Sequence, residues 1–389
     1  MTKADKEGQR KAPILRFKGF TDDWEQRKLK QLGNIKRGAS PRPISDPKWF
    51  DKNGKYGWLR ISDVTSQNGQ VFQIDQHLSS IGEEKTVLIS DPHLIISIAA
   101  TVGKPCINYI PTAIHDGFVT FLDYKFNLDF MFEWFNKNQN IWLKYGQPGA
   151  QINLNSSIIG NQEIKLPKAY EQEKIAKLFN ILNNLLALYE KKKQLLTQLK
   201  QGIVNFLITK NGQKSQLRFS GFNNNWESKS FEKLLNYEQP TKYIVKKADY
   251  ISQGTPVLTA NKSFVLGYTN ETNVYQNIPA IIFDDFTLES KYVDFPFMVK
   301  SSAIKILTSK NSNLFFIYQL LNNQRFVQEG HSRHYISVVQ KKKVLVPSIQ
   351  EQNKISDLIK QLEDNIELNS NTIVLLKKLK EFLLQNMFL

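Results

Sequence analysis

The chain of 389 residues has one cysteine, Cys106, and five histidines that lack metal-ligand spacing. One thiol forms no disulfide within the chain and cannot build a thiolate-rich metal centre, so Cys106 is expected to be a core residue. The longest apolar run, around Leu94–Val102, is too short to cross a bilayer. The first dozen residues have no apolar stretch typical of a signal peptide. We therefore expect a cytoplasmic protein without membrane association.

Catalytic motifs are also missing. GNIKRGAS (Gly33–Ser40) has the two glycines of a phosphate-binding loop, but Ala39 stands where that loop needs lysine. We interpret it as a basic, DNA-facing loop or as a plain turn. The Asn/Asp-Pro-Pro-aromatic motif of adenine methyltransferases does not occur. In DDFTLESK (Asp284–Lys291) the aspartates stand closer to Glu289 than metal-dependent nucleases usually allow, which favours a surface acidic loop. The sequence therefore predicts no enzyme activity in this chain.

Acidic residues are the minority, with 36 Asp and Glu against 52 Lys and Arg and a net charge of +16. Such an excess favours a polyanionic partner, most simply nucleic acid. The excess is uneven, because residues 31–150 carry a net +1 and residues 232–335 a net +2. The positive charge lies around two nearly neutral blocks, where solvated lysines on helices would also explain it. Charge alone therefore does not establish DNA binding.

The chain contains the same phrase twice. LRFKGFTDDWEQRKL (Leu15–Leu29) returns as LRFSGFNNNWESKSF (Leu217–Phe231). Its tryptophans, Trp24 and Trp226, are most simply packing anchors rather than ligand groups. Internal repeats fix an architecture, so this phrase is expected to mark the start of each of two similar halves.

A longer repeat ends each half. Ile164–Ile208 aligns without gaps with Val344–Phe388, at an offset of 180 residues. In both copies a proline and a Glu-Gln pair precede apolar residues at steps of three and four, which predicts a helix. The first, Glu171–Ile208, has about 38 residues and would be roughly 57 Å long. Two equal helices of this length, with no other long helix to bundle with, predict an antiparallel coiled-coil pair.

The blocks between the long helices are rich in glycine, asparagine, aromatic and β-branched residues. Candidate strands are Gly57–Ile61, Leu94–Ala99, Val119–Leu122, Ala280–Phe283 and Ala303–Leu307, and candidate shorter helices are Leu128–Tyr145 and Asn313–Gln328. We predict an α/β (α+β) fold with an approximate two-fold repeat. Two mixed α/β domains, 14–165 and 213–345, would be separated by long helices within 166–212 and 346–389.

This ordered set of motifs resembles the specificity subunit of type I restriction–modification systems, over about residues 14–389. The carriers are the doubled LRF-x-GF…W phrase and the doubled P…EQ-x-KI helix start. Three segments of the domains add to them: GWLRISDVTSQNGQ (Gly57–Gln70), LIISIAATVGKPCINYIPTAIHDGFVTFL (Leu94–Leu122) and PAIIFDDFTLESKYVDFPFMVKSSAIKIL (Pro279–Leu307). Each motif is weak by itself, and the doubled order is the specific signal.

The resemblance implies two target-recognition domains, each of which reads one half of a split sequence in double-stranded DNA. The long helices would set the unread gap and dock two methyltransferase subunits and, through them, two restriction subunits. S-adenosylmethionine, ATP and Mg are expected on those partners, with no cofactor, metal or catalytic residue in this chain. A coiled-coil adaptor or scaffold without a nucleic-acid role is the alternative, because the two domains are nearly neutral.

Candidate DNA-binding residues follow from side-chain chemistry, because Arg and Lys suit guanine and phosphate whereas Asn and Gln suit adenine. In the first domain they are Lys36, Arg37, Arg42, Arg60, Thr101, Lys104, Gln147 and Gln151. In the second they are Lys246, Lys247, Thr259, Asn261, Lys262, Arg333, His334 and Tyr335. The loops Gly146–Asn155 and Gly330–Ser337 are stronger candidates than single residues. The lysine run at Tyr189–Leu196 either contacts phosphates across the gap or only solubilises the helix.

Overall fold

The computed structural model describes residues 11–99, 101–145, 154–208, 217–247, 249–261, 263–326 and 334–389. The chain divides into two compact units. Unit 1 comprises Met1–Tyr189 and Thr372–Leu389, and unit 2 comprises Glu190–Asn371. Each unit contains one mixed α/β domain and a part of each of two long helices, α5 (Ala169–Leu207) and α8 (Ile349–Met387). The predicted fold class is confirmed, and both long helices lie within the predicted ranges.

Unit 1 is built from short strands and helices. Its strands are β1 (Glu25–Lys28), β2 (Asn34–Arg37), β3 (Gly57–Trp58), β4 (Gln70–Val71), β5 (Val87–Ile89), β6 (Leu94–Ser97), β7 (Pro105–Asn108), β8 (Thr112–Ile114), β9 (Phe118–Leu122) and β10 (Glu163–Leu166). Its shorter helices are α1 (Ile61–Ser66), α2 (Ser80–Glu83), α3 (Leu128–Lys137) and α4 (Ser156–Asn161). The described strands form sheets in the orders β2-β9-β6-β7-β4, β3-β8-β5 and β1-β10.

The core of unit 1 lies between the larger sheet and α3. All four residues of β6 are buried, as are the first four of β9, which fits apolar strands covered on both faces. Asn127 starts α3 by accepting the Phe130 N–H at 3.0 Å. Phe130, Met131 and Trp134 then pack into the same core as the β6 and β9 residues.

Unit 2 repeats the plan with different sheets. Its strands are β11 (Glu227–Ser230), β12 (Leu235–Glu238), β13 (Thr255–Leu258), β14 (Val265–Thr269), β15 (Ala280–Asp284), β16 (Ser290–Val293), β17 (Met298–Val299), β18 (Ile304–Ser309) and β19 (Lys343–Val346). Its shorter helices are α6 (Phe231–Leu234) and α7 (Leu314–Asn322). The described strands form sheets in the orders β12-β18-β15-β16, β14-β13-β17 and β11-β19.

Three element boundaries predicted from the sequence are wrong. The candidate helix Asn313–Gln328 ends at Asn322. The candidate strand Gly57–Ile61 ends at Trp58, because Arg60 is the N-cap of α1 and Ile61 begins that helix. The candidate helix Leu128–Tyr145 stops at Lys137, where the Asn138 N–H bonds the Trp134 carbonyl, and a separate 3₁₀ helix follows.

Arginine–glutamate pairs join the repeated phrase to the repeated helix start. In unit 1 the Arg16 Nε and Nη2 atoms donate to the two carboxylate oxygens of Glu171, at 2.8 and 2.7 Å. In unit 2 Arg218 donates to Glu351 in the same manner, at 2.9 and 2.7 Å. Both carboxylates are buried. Bidentate charge-assisted bonds replace the water that each carboxylate loses on burial. These pairs therefore hold each copy of the repeated phrase against its long helix.

The glutamine of each Glu-Gln pair ties the long helix to the domain. In unit 1 the Gln172 Nε2 donates to the Pro167 carbonyl at 2.8 Å, while its Oε1 accepts the Asn127 N–H at 2.9 Å. The equivalent residues of unit 2 make both bonds at 2.9 Å: Gln352, Pro347 and Asn313. Since Asn127 and Asn313 cap α3 and α7, one glutamine orients both a domain helix and a long helix.

The tryptophans of the repeated phrase are packing residues, as predicted. Trp24 is buried in the core of unit 1, where its ring meets Phe130 edge-on. Trp226 is half-buried, and its ring meets Phe316 edge-on at a centroid distance of 6.4 Å.

The long helices pack antiparallel within each unit. In unit 1 Phe179 packs against Phe388, and Asn183 bonds Lys380, so numbering rises on α5 as it falls on α8. In unit 2 Lys200 of α5 pairs with Glu363 of α8. The predicted antiparallel pairing of the two long helices is therefore confirmed for the described residues of α5 and α8.

A glycine in the turn between β6 and β7 gives a stability prediction. Gly103 has φ of +79°, and a Cβ there would overlap the Trp142 ring. We expect Gly103→Ala to lower the free energy of unfolding by about 1–3 kcal/mol, measured by urea denaturation. Gly202→Ala is the matched control, because its Cβ would lie in open space on α5. That variant should be neutral or slightly stabilising, and equal effects of both changes would contradict the packing role.

Candidate nucleic-acid interface

Two predicted arginines of unit 1 converge on Asp116. The Arg37 Nε donates to the Asp116 carbonyl at 2.8 Å, and the Arg42 Nη2 bonds its carboxylate at 3.1 Å. The Ser40 hydroxyl donates to the other carboxylate oxygen at 2.7 Å. This hydrogen bond, with the nearby positive charges, holds the pKa of Asp116 below its usual value. Asp116 therefore stays ionised at neutral pH and orients both arginines.

A cavity of ≈ 440 Å³ adjoins this cluster. Its lining residues are Ser40, Arg42, Ile44, Trp58, Arg60, His115 and Asp116. The Trp58 and His115 rings lie 5.5 Å apart, and burial lowers the pKa of His115, so the imidazole is neutral at pH 7. Trp58 is 4% exposed and packs in the core, so the accessible groups here are the guanidinium groups of Arg42 and Arg60. They suit a ligand with acceptor atoms on its edge, such as a guanine base.

Helix α1 contacts two predicted residues, Arg60 at its start and Lys104 near its end. Arg60 precedes α1, where its N–H donates to Asp63 at 2.8 Å and its guanidinium bonds Gln76. The Lys104 Nζ donates to Thr65 of α1 at 3.3 Å. Thr101, in the same turn as Lys104, is exposed. Separate segments of the sequence thus meet around one short helix.

Lys36 is exposed on β2, the edge strand of the larger sheet, and it does not line the cavity. Successive side chains of a strand point to opposite faces, which separates Lys36 from Arg37. The structure therefore supports the cavity arginines as one group and leaves Lys36 outside it.

Unit 2 places two predicted polar residues in an open groove of ≈ 630 Å³. Its lining residues are Thr259, Asn261, Ser263, Leu266, Asp284, Thr287, Glu289, Lys300 and Ser301. The Thr287 hydroxyl donates to the Asn261 side-chain oxygen at 3.1 Å, which leaves the Asn261 amide group for another acceptor. Two carboxylates and one lysine line this groove, whereas two arginines and one aspartate line the cavity of unit 1.

Lys246 and Lys247 are exposed, as expected of phosphate-binding residues. Their backbone N–H groups both donate to the Glu271 carboxylate, at 2.9 and 3.2 Å. This anchors the main chain while neither side chain lines the groove.

The acidic segment of unit 2 is not the predicted surface loop at its two aspartates. Asp284 and Asp285 are buried. Asp285 pairs with the buried Lys305 at 3.3 Å, and it accepts the Tyr335 N–H at 2.7 Å. Asp284 accepts two N–H groups of the following turn. Asp284 therefore stabilises the following turn and Asp285 joins distant segments, whereas Glu289 is exposed.

His334 and Tyr335 also lie in the interior, contrary to their prediction as DNA-binding residues. The His334 side chain is 1% exposed and Tyr335 is 0% exposed. The Tyr335 ring packs against Tyr237 and Phe283. Such side chains offer no atoms to a base edge, because the core covers them.

Four predicted residues lie outside the described part of the chain: Gln147, Gln151, Lys262 and Arg333. The same holds for residues 146–153 of the first candidate loop and residues 330–333 of the second. They stay predictions, as do the exposed candidates described above.

Sequence reasoning missed most of the residues that line both sites. Trp58 and His115 were not selected, although both lie inside segments that carry the family resemblance. Lys300 and Ser301 were missed as well, because they follow β17 without a recognisable motif.

Metal-binding clusters and membrane-spanning helices are absent among the described residues. No group of three or more His, Cys, Asp or Glu side chains is arranged to hold a metal ion among them. In that same part of the chain, no helix is long and apolar enough to cross a membrane. Cys106 is buried, as predicted, and burial raises the pKa of its thiol.

Comparison with known proteins matches both halves of the chain. Residues 21–198 and 223–378 each fit the family model described as the type I restriction modification DNA specificity domain. The chain belongs to this family. Each copy of the specificity domain contains one α/β domain and most of the long helix that follows it, as the internal repeat predicts.

Curated relatives agree with this assignment. The chain is 50% identical over 123 residues to the type I restriction enzyme EcoR124I/EcoR124II specificity subunit of Escherichia coli, a match covering 29% of this chain and 30% of that protein. It is 22% identical over 407 aligned positions to the putative type I restriction enzyme MjaX specificity subunit of Methanocaldococcus jannaschii, covering 92% and 91% of the two chains. The stronger identity is therefore local, and the weaker one spans nearly the whole chain.

Solved structures show the same fold. The S subunit of a type I restriction-modification system from M. genitalium aligns with a TM-score of 0.68 at 14% identity, covering 97% of this chain and 99% of that one. A chain from a structural study of type I R-M complex assembly aligns with a TM-score of 0.52 at 12% identity, covering 94% and 97%. At these identities the alignments show fold only.

Proposed function

We propose that this chain is the DNA-reading subunit of a type I restriction–modification complex, with each domain reading one half of a split duplex target. The observation that carries the proposal is the doubled specificity domain, one copy for each α/β domain. The arginine-lined cavity of unit 1 and the mixed-charge groove of unit 2 support two different half-sites, because they present different hydrogen-bonding groups.

The long helices are the proposed docking surface for two methyltransferase subunits and, through them, two restriction subunits. Apolar side chains on α8 remain exposed at helical spacing: Leu375, Leu379 and Phe382 are 66%, 44% and 54% exposed. On α5 within unit 2, Leu195 and Leu199 are 52% and 51% exposed. Apolar stripes of this kind are typical of protein–protein interfaces.

In this proposal the chain itself carries out no reaction. S-adenosylmethionine, ATP and Mg would bind to the partner subunits, and the assembly would act in the cytoplasm on the host chromosome. The competing function, a coiled-coil scaffold without a nucleic-acid role, rests on the small net charge of the two domains.

Duplex binding as a function of salt separates the two functions. The chain would be co-purified with its methyltransferase subunit and titrated with labelled double-stranded genomic fragments between 50 and 200 mM salt. A DNA-binding subunit that neutralises about six phosphates should lose about 10³-fold in affinity for the duplex over that salt range. A complex that forms but shows no duplex binding even at the lowest salt would favour the scaffold. If the chain does not co-purify with the methyltransferase subunit, the long helices are not its docking surface.

A further inference from the structure

A lysine, a carboxylate and an amide meet beneath the domain of unit 1. The Lys380 Nζ bonds the Glu133 Oε1 at 3.0 Å and the Asn183 Oδ1 at 2.7 Å. The Asn183 amide donates to the same Glu133 oxygen at 2.8 Å. The Glu133 side chain is 1% exposed and the Lys380 side chain 21%. We call Glu133, Asn183 and Lys380 the first triad; they come from α3, α5 and α8.

Unit 2 contains the corresponding second triad, formed by Gln319 of α7, Glu363 of α8 and Lys200 of α5. The Lys200 ammonium pairs with the Glu363 carboxylate. The Gln319 amide donates to the same carboxylate oxygen at 3.3 Å. Gln319 is 6% exposed, so the domain side of this triad is also covered.

The repeat shows that the two triads have exchanged their carboxylate and their amide. The gapless alignment of the long helices equates Asn183 with Glu363 and leaves a lysine at the third position in both. On the domain helices, Glu133 and Gln319 each lie six residues after the capping asparagine. The first domain therefore brings the negative charge to its helices, whereas the second domain brings the neutral amide.

In each triad, two residues belong to the long helices and form what we call a seat for the domain residue. We propose that each seat is selective for its own recognition domain. The seat formed by Asn183 and Lys380 accepts a domain that brings a carboxylate. The seat formed by Glu363 and Lys200 accepts a domain that brings an uncharged amide. The inference is independent of which bases are read, and it defines which recognition domains of related chains fit each position.

Mismatched domains would leave charge uncompensated beside the buried positions 133 and 319. The first seat is the more sensitive of the two, because the Lys200 and Glu363 side chains of the second are 29% and 35% exposed. A glutamine in the first seat leaves Lys380 beside two neutral amides. A glutamate in the second seat sets two carboxylates around Lys200. Removing one partner of a covered ion pair, or adding a like charge, destabilises the folded state strongly.

A rescue experiment tests the exchange. In the full chain co-purified with its methyltransferase subunit, Glu133→Gln should lower the melting temperature by about 5–10 °C. Adding Asn183→Glu rebuilds the arrangement of the second triad within unit 1, and should recover at least half of that loss. Glu173→Gln is the matched control, because it removes the same charge from an exposed position of α5.

The outcomes are distinguishable. A Glu133→Gln effect no larger than that of Glu173→Gln would overturn the proposal, and so would a double variant no more stable than the single one. If Glu133→Gln gives no soluble protein, recovery of soluble protein on adding Asn183→Glu supports the proposal, and failure to recover contradicts it.

A second test replaces the first recognition domain with a copy of the second and measures the melting temperature of the full chain. A chain with the second recognition domain in both positions would set its Gln319 beside Asn183 and Lys380. Introducing Gln319→Glu in the first-position copy alone should raise the melting temperature by about 5 °C or more. The same change in the second-position copy should lower it. Equal effects at both positions would contradict seat selectivity.

Discussion

The Arg42→Ala/Arg60→Ala double variant should bind the target duplex about 10- to 100-fold more weakly, with relaxed base preference in one half-site only. Both guanidinium groups line the cavity of unit 1, where Asp116 and Gln76 orient them. Arginine is the usual partner of guanine, and each good bidentate contact supplies about 1–3 kcal/mol of discrimination. The measurement is affinity for a set of duplexes in which each base pair of each half-site is changed in turn.

Arg27→Ala is the control for this variant. Arg27 is also an exposed arginine of unit 1, but it lies on β1 and pairs with Glu25 at 2.7 Å. It should leave base preference in both half-sites unchanged. Equal weakening on all duplexes, with a shallower salt dependence, would mean that Arg42 and Arg60 contact phosphates rather than bases. Unchanged affinity would place the reading surface of unit 1 elsewhere.

Glu171→Gln should lower the free energy of unfolding of unit 1 by about 3 kcal/mol, because it leaves Arg16 facing a neutral group at a covered site. The Arg16 and Glu171 side chains are 12% and 3% exposed, so water replaces the lost interaction poorly. For a unit of this size, the melting temperature should fall by about 6–12 °C. Calorimetry on the chain co-purified with its methyltransferase subunit measures it.

Glu173→Gln provides the comparison, since it removes the same charge two residues along the same helix from an exposed position. Its melting temperature should stay within about 2 °C of the unchanged chain. Arg16→Lys should be nearly as harmful as Glu171→Gln, because lysine cannot make the bidentate pair. Equal melting temperatures for Glu171→Gln and Glu173→Gln would contradict the role given to the Arg16–Glu171 pair.

The long helices were predictable because their signal is local and repeated. The apolar spacing and the lack of proline predicted a helix over Glu171–Ile208, and the observed helix is Ala169–Leu207. The buried strands were also visible: Leu94–Ala99 was predicted and Leu94–Ser97 is observed. The contacts of the Glu-Gln pair were not predictable, because Arg16 and Glu171 are 155 positions apart and no local pattern links them.

The candidate site was only partly predictable. Residue chemistry selected Arg37, Arg42 and Arg60, but it could not show that Asp116 orients two of them. The same chemistry selected His334 and Tyr335, whose polar character does not reveal that the core covers them. Side-chain type indicates what a residue can bind, whereas long-range packing decides whether it reaches the surface.

Methylome sequencing of a host that co-expresses this chain with its methyltransferase subunit tests the central claim most directly. Two recognition domains that read one split target predict a single two-part motif, with a methylated adenine in each part and an unread gap of constant length. A contiguous motif, or a stable complex that methylates no motif, would contradict the account.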